Sequence, residues 1–563
     1  MQNHAGIHVT RRNFIRGLGL MSASAALAAC ASQPASSTSG SAQAGSSGAT
    51  PLLAIIHTND THGHDVEVKA TEKAAGNFSM AAVPMVKAEW EKKGYEVIVV
   101  DAGDATQGMP LVDQSKGEAG ITFMNACGYQ FMTVGNHEFD RGDDEIKKFE
   151  EMASFPLVSA NVKVKATGEL RFAPNKVFEL SDGTKVGFFG LTTPSTVTTS
   201  RPEYTQAFEF LGGKDLYACA QAQVDELKSQ GCAIVVCVAH LGNEEVNKSN
   251  TSKDVLSQVK GIDLLIDGHD HKEVSEEVGG VLLVETGCYL NNIGVVAIDD
   301  GAPVDNRLAY GSFEGTDAAA QAVIDDVDKQ VQSELGVVLG HTNFTLDGEK
   351  ANLRAHETNL GDFCCDAFLW SCEQASGIKP DAALYNGGGL RSTIAEGDIS
   401  LANIKAVVAF SNQLMLAKVT GAQLLEALES AYQVAGADTM GGFAQVAGIE
   451  VKIDASVPYE KGDQYPNSTF YAPAKPGSRV TISTVGGRAW SADETYTVAT
   501  SDFICTGGDC YYVFKQAADA AQPQTCDFDY EAVSSYLIDK CDHEVPAEYE
   551  DALGQGRITI VGA

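Results

Sequence analysis

Side chains that bind divalent metals follow five separate apolar runs of this 563-residue chain. Each run is rich in Val and Ile, and Asp, Asn or His comes shortly after it. The segments that follow the runs supply Asp60 and His62, Asp101 and Asp104, Asn136, His137 and Asp140, His240, and Asp267, His269, Asp270 and His271. Because open α/β sheets bind ligands beyond the carboxyl ends of their strands, we expect these side chains to converge on one site.

The mixture of donors favours a pair of metal ions. Imidazole nitrogen suits zinc, iron or nickel, whereas carboxylate and amide oxygen suit manganese or magnesium. Two such ions, roughly 3.5–4 Å apart, can activate a water and clamp a phosphoryl group. We expect two divalent cations, such as Zn or Mn, with one carboxylate bridging them. His57, inside the strand end, and His64, beyond the Asp-x-His pair, are interpreted as non-ligands.

A glycine-rich turn in the second half of the chain offers a place for an anion. It reads Asn-Gly-Gly-Gly-Leu-Arg from Asn386 to Arg391. Glycine lets the backbone approach an anion closely, and arginine binds phosphate with a two-pronged guanidinium. The turn lacks the Gly-Lys-Ser/Thr of a P-loop and the spacing of a dinucleotide-binding fingerprint. By itself it indicates phosphate binding only weakly.

The elements that must position the metal ligands are short strands. Runs of four to six Val- and Ile-rich residues are typical of buried strands. The predicted strands of this region are Leu52–Ile56, Val97–Val100, Phe131–Val134, Val186–Leu191, Ala233–Val238 and Ile262–Ile266. Helical spacing lies between several of them, as in Ala218–Lys228. We therefore predict a layered α/β domain over residues 51–315.

A helix is predicted to connect this domain to a second one. Val323, Val327, Val331 and Leu335 recur every fourth residue and give one apolar stripe within a linker at residues 316–340. Residues 341–563 mix helical and strand-like segments, which indicates an α+β domain. The predicted helices are Leu401–Val407 and Ala422–Ala435, and the predicted strands are Leu414–Val419, Ile449–Ile453, Val480–Ser483 and Thr495–Ala499.

The first fifty residues are read as an export signal and a tether. Residues 1–30 contain Arg11-Arg12 and a short apolar run, which resembles a twin-arginine signal, and end in the lipobox-like Leu27-Ala28-Ala29-Cys30. Residues 31–50, mainly Ser, Ala and Gly, form a flexible tether. We expect lipidation at Cys30, anchoring at the outer face of the cell membrane, and no other contact with the membrane.

The net charge of the chain narrows the class of binding partner, and the cysteine content bears on disulfides. The net charge of −35 argues against a nucleic-acid polymer, because phosphate backbones are held by Lys and Arg. Twelve cysteines remain besides Cys30, and disulfides are possible in an exported chain. Cys505 and Cys510 bracket a short loop that they could staple. The connectivity of the cysteines and the oligomeric state stay open.

The order of the metal-binding motifs resembles the calcineurin-like metallophosphoesterases, and more closely the exported bacterial 5′-nucleotidase family. The motifs are Asp-x-His, Gly-Asp, Gly-Asn-His-Glu-x-Asp, His-Leu-Gly and Gly-His-x-His. The resemblance implies a layered αββα-type sandwich and two metal sites. Asp60, His62 and His271 would hold one ion, and Asn136, His240 and His269 the other. Asp101 would bridge the ions, and no ligand role is assigned to Asp104.

The same resemblance implies a catalytic pair and a substrate pocket. His137 would face the phosphate and protonate the leaving oxygen, with Asp140 orienting its ring. In the C-terminal substrate-binding domain, Phe410 and Phe503 would stack on the base, where each base–aromatic contact contributes ~1–3 kcal/mol. The remaining pocket residues would be Arg354 and Arg391 at the phosphate, Asp509 at the ribose, and Asn386 and Asn412.

The function implied is hydrolysis of nucleoside 5′-monophosphates, with a hinge near residues 336–341 closing the two domains. Alternatives with the same metal site are a 2′,3′-cyclic nucleotide phosphodiesterase with 3′-nucleotidase activity and a UDP-sugar hydrolase. His356 stands where some relatives carry arginine, which favours monophosphates over diphosphates. A nucleotide-binding receptor or an adhesin without turnover would be expected to have lost ligands, and all seven candidates are present.

Overall fold

The computed structural model describes residues 52–70, 76–243, 247–299 and 302–562. The predicted export signal, the lipidated Cys30 and the tether lie outside the described residues. In the part that is described, no helix combines the length and the apolar character needed to cross a membrane.

Fifteen strands belong to the first half of the described chain. They are β1 (Leu53–Thr58), β2 (Glu96–Asp101), β3 (Phe131–Thr133), β4 (Leu157–Val158), β5 (Val162–Val164), β6 (Asn175–Glu179), β7 (Lys185–Thr192), β8 (Phe208–Phe210), β9 (Cys232–His240), β10 (Leu264–Ile266), β11 (Glu273–Val278), β12 (Val281–Thr286), β13 (Asn292–Asp299), β14 (Ala302–Asp305) and β15 (Leu308–Ala309). The described helices of this half are α1 (Val83–Lys92), α2 (Pro110–Asp113), α3 (Glu118–Cys127), α4 (Asp143–Met152), α5 (Thr196–Thr199), α6 (Pro202–Thr205), α7 (Lys214–Ser229), α8 (Ser252–Gln258) and α9 (Ala318–Leu335).

Most of these strands form two sheets that pack face to face. The first has the order β14-β13-β1-β2-β3-β4, with β15 also paired to β13, and the second has the order β11-β12-β10-β9-β7-β6. Strands β1 to β4 run parallel, as do β7, β9, β10 and β12. The short strands β5 and β8 pair separately.

Three apolar cores give this half its four layers. Alternate residues of β1, β2, β7, β9 and β10 meet between the sheets, among them Ile55, Val100 and Val236. The outer face of the first sheet is covered by α1, α3, α4 and α9. The outer face of the second sheet is covered by α7 and α8. The predicted αββα sandwich is therefore confirmed.

The predicted connecting helix is shorter than its segment and belongs to the first half. Helix α9 buries Ile324, Val331 and Leu335, and it begins with an N-cap at Asp317 whose carboxylate accepts backbone hydrogen bonds. Burying the side chain of Ile324 contributes about 1.5–3 kcal/mol, so this packing fixes the helix on the first core. The predicted hinge region, residues 336–341, includes the start of a strand of the second half, β16.

The second half contains thirteen described strands and seven described helices. The strands are β16 (Val338–Thr342), β17 (Ala382–Asn386), β18 (Gly397–Ser400), β19 (Gln413–Thr420), β20 (Ala444–Ala447), β21 (Ile449–Asp454), β22 (Lys461–Gln464), β23 (Tyr471–Pro473), β24 (Val480–Val485), β25 (Arg488–Ala489), β26 (Thr495–Ser501), β27 (Gln524–Phe528) and β28 (Ile558–Val561). The helices are α10 (Lys350–Leu353), α11 (Asn359–Ser376), α12 (Leu401–Val407), α13 (Gly421–Ala431), α14 (Asp502–Cys505), α15 (Tyr512–Ala520) and α16 (Asp529–Ser535).

A five-stranded sheet organises this half as the predicted α+β domain. Its order is β20-β17-β26-β19-β27, with α11 against one face and α13 and α15 against the other. A smaller sheet, β25-β24-β21-β28, and the pairs β16-β18 and β22-β23 complete the strands. The two halves pack together as one compact unit.

Candidate active site

The predicted metal ligands lie at one edge of the sandwich, beyond the carboxyl ends of β1, β2, β3, β9 and β10. The backbone there is locally strained. Five non-glycine residues of this edge have positive φ angles between 46° and 93°, namely Asp60, His62, Asp104, His269 and His271. Such conformations cost about 1–3 kcal/mol each, and they persist where the surroundings force a side chain into a functional position.

The first group of donors consists of Asp60, His62 and His271. The Nε2 atoms of the two histidines lie 3.2 Å apart, and His271 Nε2 lies 3.3 Å from Asp60 Oδ1. Asp60 is held in place through its other oxygen, which accepts hydrogen bonds from Asn59 Nδ2 and the backbone N–H of His269. The three ligand atoms lie close enough together to coordinate one ion.

The second group of donors consists of Asn136, His240 and His269. Asn136 Oδ1 lies 3.2 Å from His240 Nε2 and 2.9 Å from His269 Nδ1. The amide oxygen of Asn136 therefore faces two ring nitrogens. In the first group, two ring nitrogens face each other. Strands β3, β9 and β10, from two different sheets, deliver these three side chains.

Asp104 joins the two groups, and this corrects the expectation for Asp101. Asp104 Oδ2 lies 3.1 Å from His240 Nε2 and 3.8 Å from His62 Nε2. Asp101 is turned away, since its two oxygens accept hydrogen bonds from Thr58 Oγ1 and the backbone N–H of Gly103. Its carboxylate supports the loop after β2. Asp104, and not Asp101, therefore occupies the position between the two donor groups.

The metal-donor atoms suit cations because hydrogen-bond acceptors of different side chains lie opposite one another. His62 Nδ1 donates to the carbonyl of Gln107, so its Nε2 atom carries a lone pair. His240 Nδ1 donates to the carbonyl of Ala102, and its Nε2 atom lies 3.2 Å from Asn136 Oδ1 and 3.1 Å from Asp104 Oδ2. Asp60 Oδ1 has no hydrogen-bond partner among the described residues. Burial lowers the pKa of His269 to about 3 and that of His271 well below its ordinary value, which keeps both rings neutral. Neutral imidazole is the form that binds metal.

His137 and Asp140 form the expected pair beside the donors. His137 Nδ1 donates to Asp140 Oδ2 across 2.6 Å, and His137 Nε2 lies 4.0 Å from Asp104 Oδ2. Burial acts to lower the pKa of His137, but the Asp140 and Asp104 carboxylates outweigh it and raise the pKa above its ordinary value. The two carboxylates therefore favour the protonated ring, which is the form from which a general acid donates its proton.

Glu138 supports the bridging carboxylate, a role that the sequence analysis did not assign. Its buried carboxylate accepts hydrogen bonds from the backbone N–H groups of Asp104, Ala105 and Gly135 and from the hydroxyl of Thr106. The glutamate stands within the Gly-Asn-His-Glu motif, which was the available signal. It ties the loops after β2 and β3 to each other.

The C-terminal half faces these donors across a shared cavity. Arg391 Nη2 lies 3.1 Å from His62 Nε2, and its guanidinium lies over the ring of Phe410, 5.7 Å from the centroid. Phe410 in turn lies 5.5 Å from the ring of His137. The cavity is lined by Asp104, Asn136, His137, Asp140, Ser195, Thr199, Arg201, Asn247, His269, His271, Arg354, Asn386, Gly388, Gly389, Arg391, Phe410, Asn412, Met440, Gly441, Phe470, Phe503 and Asp509.

All seven predicted substrate-binding residues line this cavity. Asn386 Nδ2 donates to Asp509 Oδ2 across 2.8 Å, which fixes the carboxylate that was assigned to ribose. Burial raises the pKa of Asp509 to about 6. Gly508 gives Phe503 its room, because a Cβ at residue 508 would lie 2.4 Å from Phe503 Cζ.

Two further expectations were that His57 and His64 are not ligands and that Cys505 and Cys510 could form a disulfide. His57 is buried beneath the site, and His64 stacks on Tyr289 with ring centroids 4.1 Å apart, so neither belongs to the donor groups. Cys505 and Cys510 are buried free thiols, and none of the other described cysteines is disulfide-bonded. The proposed staple of the loop between them is absent from the described structure.

Comparison with known proteins agrees with this architecture. The family model for calcineurin-like phosphoesterases matches residues 53–273, and the model for the 5′-nucleotidase C-terminal domain matches residues 338–516. The matches coincide with the metal-bearing sandwich and with the half that carries the arginines and phenylalanines.

Similar proteins include nucleotide phosphoesterases of several bacteria. The trifunctional nucleotide phosphoesterase protein YfkN of Bacillus subtilis (strain 168) is 32% identical over 83% of this chain, which spans only 32% of that protein's length. A 5′-nucleotidase of Vibrio vulnificus (strain CMCP6) is 27% identical over 86% of this chain and 89% of its own length. The crystal structure of a 5′-nucleotidase precursor from Thermus thermophilus has a TM-score of 0.76 and 28% identity, covering 91% of this chain and 100% of that one.

The two matched domains, in this order and with intact donor groups, identify the chain as a metal-dependent phosphoesterase. It belongs to the 5′-nucleotidase family, in which a calcineurin-like metallophosphoesterase domain precedes a 5′-nucleotidase C-terminal domain.

Proposed function

We propose that the chain hydrolyses nucleoside 5′-monophosphates to nucleoside and phosphate. One observation carries the proposal: a single cavity is lined both by the donor groups and by the arginines and phenylalanines of the other half. The cavity offers ligands and arginines for a phosphate, a carboxylate for a ribose and aromatic rings for a base, which are the three parts of a 5′-monophosphate. The names of the Vibrio and Thermus relatives support the same substrate class.

Two divalent cations are proposed as cofactors, one for each donor group, with Asp104 shared between them. Asp60, His62 and His271 would hold the first, and Asn136, His240 and His269 the second. When bound, the pair supplies Lewis-acid stabilisation of the phosphoryl oxygens and a water nucleophile of lowered pKa.

The protein's own residues would place the phosphate and move the proton. Arg391 and Arg354 carry positive charge at the cavity and neutralise the phosphate oxygens. His137, held by Asp140, would donate its proton to the leaving 5′-oxygen, which then departs as the nucleoside hydroxyl. Asp140 fixes the ring so that Nε2 is the atom that faces the cavity.

The nucleoside would lie against the aromatic and acidic residues that the C-terminal half contributes to the cavity. Phe410 and Phe503 offer aromatic faces to any base, which gives affinity with little dependence on base identity. Asp509, held by Asn386, would accept hydrogen bonds from the ribose hydroxyls. This division assigns the phosphate to both halves and the nucleoside mainly to the C-terminal half.

The test measures phosphate release from AMP, UMP and 3′-AMP, and monophosphate products by chromatography from 2′,3′-cyclic AMP and UDP-glucose, with added manganese or zinc and with a chelator. Chelator-sensitive release that is fastest from AMP and UMP is the expected result. Preference for the cyclic or 3′ esters, or for UDP-glucose, would retain the metal site and replace the proposed substrate. The similar Bacillus protein is a trifunctional nucleotide phosphoesterase, which is why the other esters are included.

We also propose that the chain is exported and lipid-anchored through Cys30. The lipobox-like Leu27-Ala28-Ala29-Cys30 after a twin-arginine-like segment supports this. Cells that express the chain and are fed a labelled fatty acid should label it and retain it with the membrane. The Cys30→Ala variant should lose both properties. Label retained by that variant would contradict the assignment.

A further inference from the structure

A short segment of the metal-bearing half lines the cavity beside the residues assigned to the ribose and the base. This segment, residues 195–201, contains α5 and follows β7, and three of its residues line the cavity. The backbone carbonyl of Thr198 accepts a hydrogen bond of 2.8 Å from the backbone N–H of Asp509, the proposed ribose acceptor. The segment is remote from the metal donors in sequence, and none of its residues is a candidate ligand.

Arg201, the last residue of the segment, reaches the other half. Its Nη1 lies 3.1 Å from Asp502 Oδ2, and its Nη2 donates to Asn412 Oδ1 across 3.0 Å. A longer contact of 3.5 Å joins Nη2 to the carbonyl of Phe410. One side chain thus touches three residues that flank or form the proposed base site. The Arg201 and Asp502 side chains are 23% and 28% exposed, so the ion pair is partly shielded from water.

The contact with Arg201 decides how the Asn412 amide is oriented. Arginine has only donors, so the atom of Asn412 that faces it must be the oxygen. The amide nitrogen then points the other way, where Nδ2 donates to the hydroxyl of Tyr385 across 3.0 Å. Tyr385 donates to Asp529 Oδ2 across 2.8 Å, and that carboxylate also accepts the backbone N–H of Asn412.

The count of hydrogen-bonding groups has a consequence for the ligand. Asn412 carries one carbonyl oxygen and two N–H donors. Arg201 occupies the carbonyl oxygen and Tyr385 takes one of the two N–H donors, which leaves one N–H for a group in the cavity. A nucleobase offers ring nitrogens and carbonyl oxygens that can accept such a bond. The oriented amide therefore presents a donor to the base.

We propose that Arg201 is a positioning residue for the nucleoside, acting through Asn412 across the junction of the two halves. The proposal rests on the nucleotidase function proposed above and adds a specific residue to it. Arg201 would orient the amide only when both halves are assembled around the cavity. Substrates with a nucleoside would depend on it, and phosphate esters without one would not.

The experiment compares AMP with p-nitrophenyl phosphate in the full chain and in its Arg201→Ala and Arg201→Lys variants. Loss of a charge-assisted hydrogen bond should raise the KM for AMP about tenfold, with kcat changed less than about twofold. The kcat/KM for p-nitrophenyl phosphate should stay within about twofold, since this ester has no nucleobase to be oriented. Arg201→Lys, which keeps the charge and can make a single bond, should recover part of the affinity.

Arg171→Ala is the matched control. Arg171 also forms ion pairs, with Asp143 and Glu150, but entirely within the metal-bearing half. Its replacement should leave both substrates unaffected. Thermal unfolding of each variant shows whether the fold is retained.

A double-mutant cycle decides whether Arg201 acts through Asn412. In an Asn412→Ala background the Arg201→Ala change should cause little further rise in KM, because coupled residues are not additive. Full additivity, or an equal loss with p-nitrophenyl phosphate, would overturn this inference and leave the nucleotidase proposal intact. Absence of phosphate release from every nucleotide by the unaltered chain would remove both.

Discussion

At the scale of residues, Asp104 has the central position among the metal donors. Its Oδ2 lies within 4.0 Å of ring nitrogens of His62, His137 and His240. Burial acts to raise the pKa of Asp104, but His240 and His137 lower it well below its ordinary value. The lowered pKa favours the ionised carboxylate, which is the form that binds cations.

Replacing Asp104 with Ala should therefore remove metal and activity together. We expect bound metal per folded chain to fall to one ion or none, and kcat/KM to fall at least about a thousandfold, since the charge stabilisation of the pair is lost. Elemental analysis and phosphate release measure the two effects. The comparison variant is Asp101→Asn, which should lower the melting temperature through Thr58 yet retain metal. Loss of metal from that variant instead would restore Asp101 as the bridge.

His137→Asn tests the assignment of the proton donor. General-acid catalysis contributes about 10²–10⁴-fold, so kcat for AMP should fall by that factor. The metal content should not change, because His137 is not assigned to either donor group. The loss should be smaller for p-nitrophenyl phosphate, whose leaving phenolate needs less protonation. A variant that loses metal would show that His137 is a ligand.

At the scale of elements, the strands and the polar residues that follow them were predictable. Short apolar runs rich in Val and Ile located the ends of β1, β2, β9 and β10 within two residues. The polar residues after these runs marked the functional edge of the sheets. Periodicity and composition do not show which carboxylate of the loop after β2 faces the donors, although the Gly-Asp motif of the resemblance contains Asp104 and not Asp101. That depends on the backbone path, in which Asp104 has a φ of 62° and Asp101 is still part of the strand.

Contacts between distant elements were also beyond reach of the sequence. Arg201 and Asn412 are separated by 211 positions, and neither lies in a motif that names the other. The family resemblance supplied Asn412, but only the packing of the two halves supplied its partner. Similarly, the division of the parallel strands into two sheets came from the resemblance rather than from periodicity.

A buried carboxyl pair gives the C-terminal strand β28 a pH-dependent attachment. Glu357 and Asp362 accept the backbone N–H of Gln555, and Glu357 also accepts that of Ile558. Burial raises the pKa of Asp362 to about 8, Arg557 opposes this, and Glu357 adds to it. The folded chain therefore holds a proton that the unfolded chain, with an ordinary pKa of about 3.9, has already released between about pH 4 and 8.

The bound proton stabilises the folded chain at low pH. This contribution to the free energy of unfolding decreases as the pH rises towards 8, by at most about 1.4 kcal/mol per pH unit. Asp362→Asn cannot titrate, so its melting temperature relative to the unaltered chain should rise between pH 6 and pH 9. Asp366→Asn, which also loses a contact with Arg557, is the control and should show no such relative rise. Parallel melting curves for Asp362→Asn would contradict the assignment of the proton.

At the scale of the whole molecule, the two halves enclose the site from opposite sides. Arg391 meets His62, Asp509 meets Thr198, and Arg201 meets Asp502. All three contacts cross the cavity that a nucleotide would have to enter and leave. The connection between the halves runs through residues 336–341, immediately after α9, which is packed on the first core. Turnover should therefore require the halves to separate, with α9 moving as part of the first.

A reversible cross-link between the halves tests this requirement. Lys272 Nζ lies 4.0 Å from Asp438 Oδ1 across the junction, and both side chains are partly exposed. A Lys272→Cys/Asp438→Cys chain joined by a short, cleavable thiol-reactive linker should lose at least about tenfold in kcat, because opening then limits substrate entry and product release. Cleaving the linker should restore turnover, and either single variant treated alike should be unaffected. Full activity in the cross-linked chain would show that nucleotides enter without separation of the halves, and the closed arrangement would then be the only one that catalysis needs.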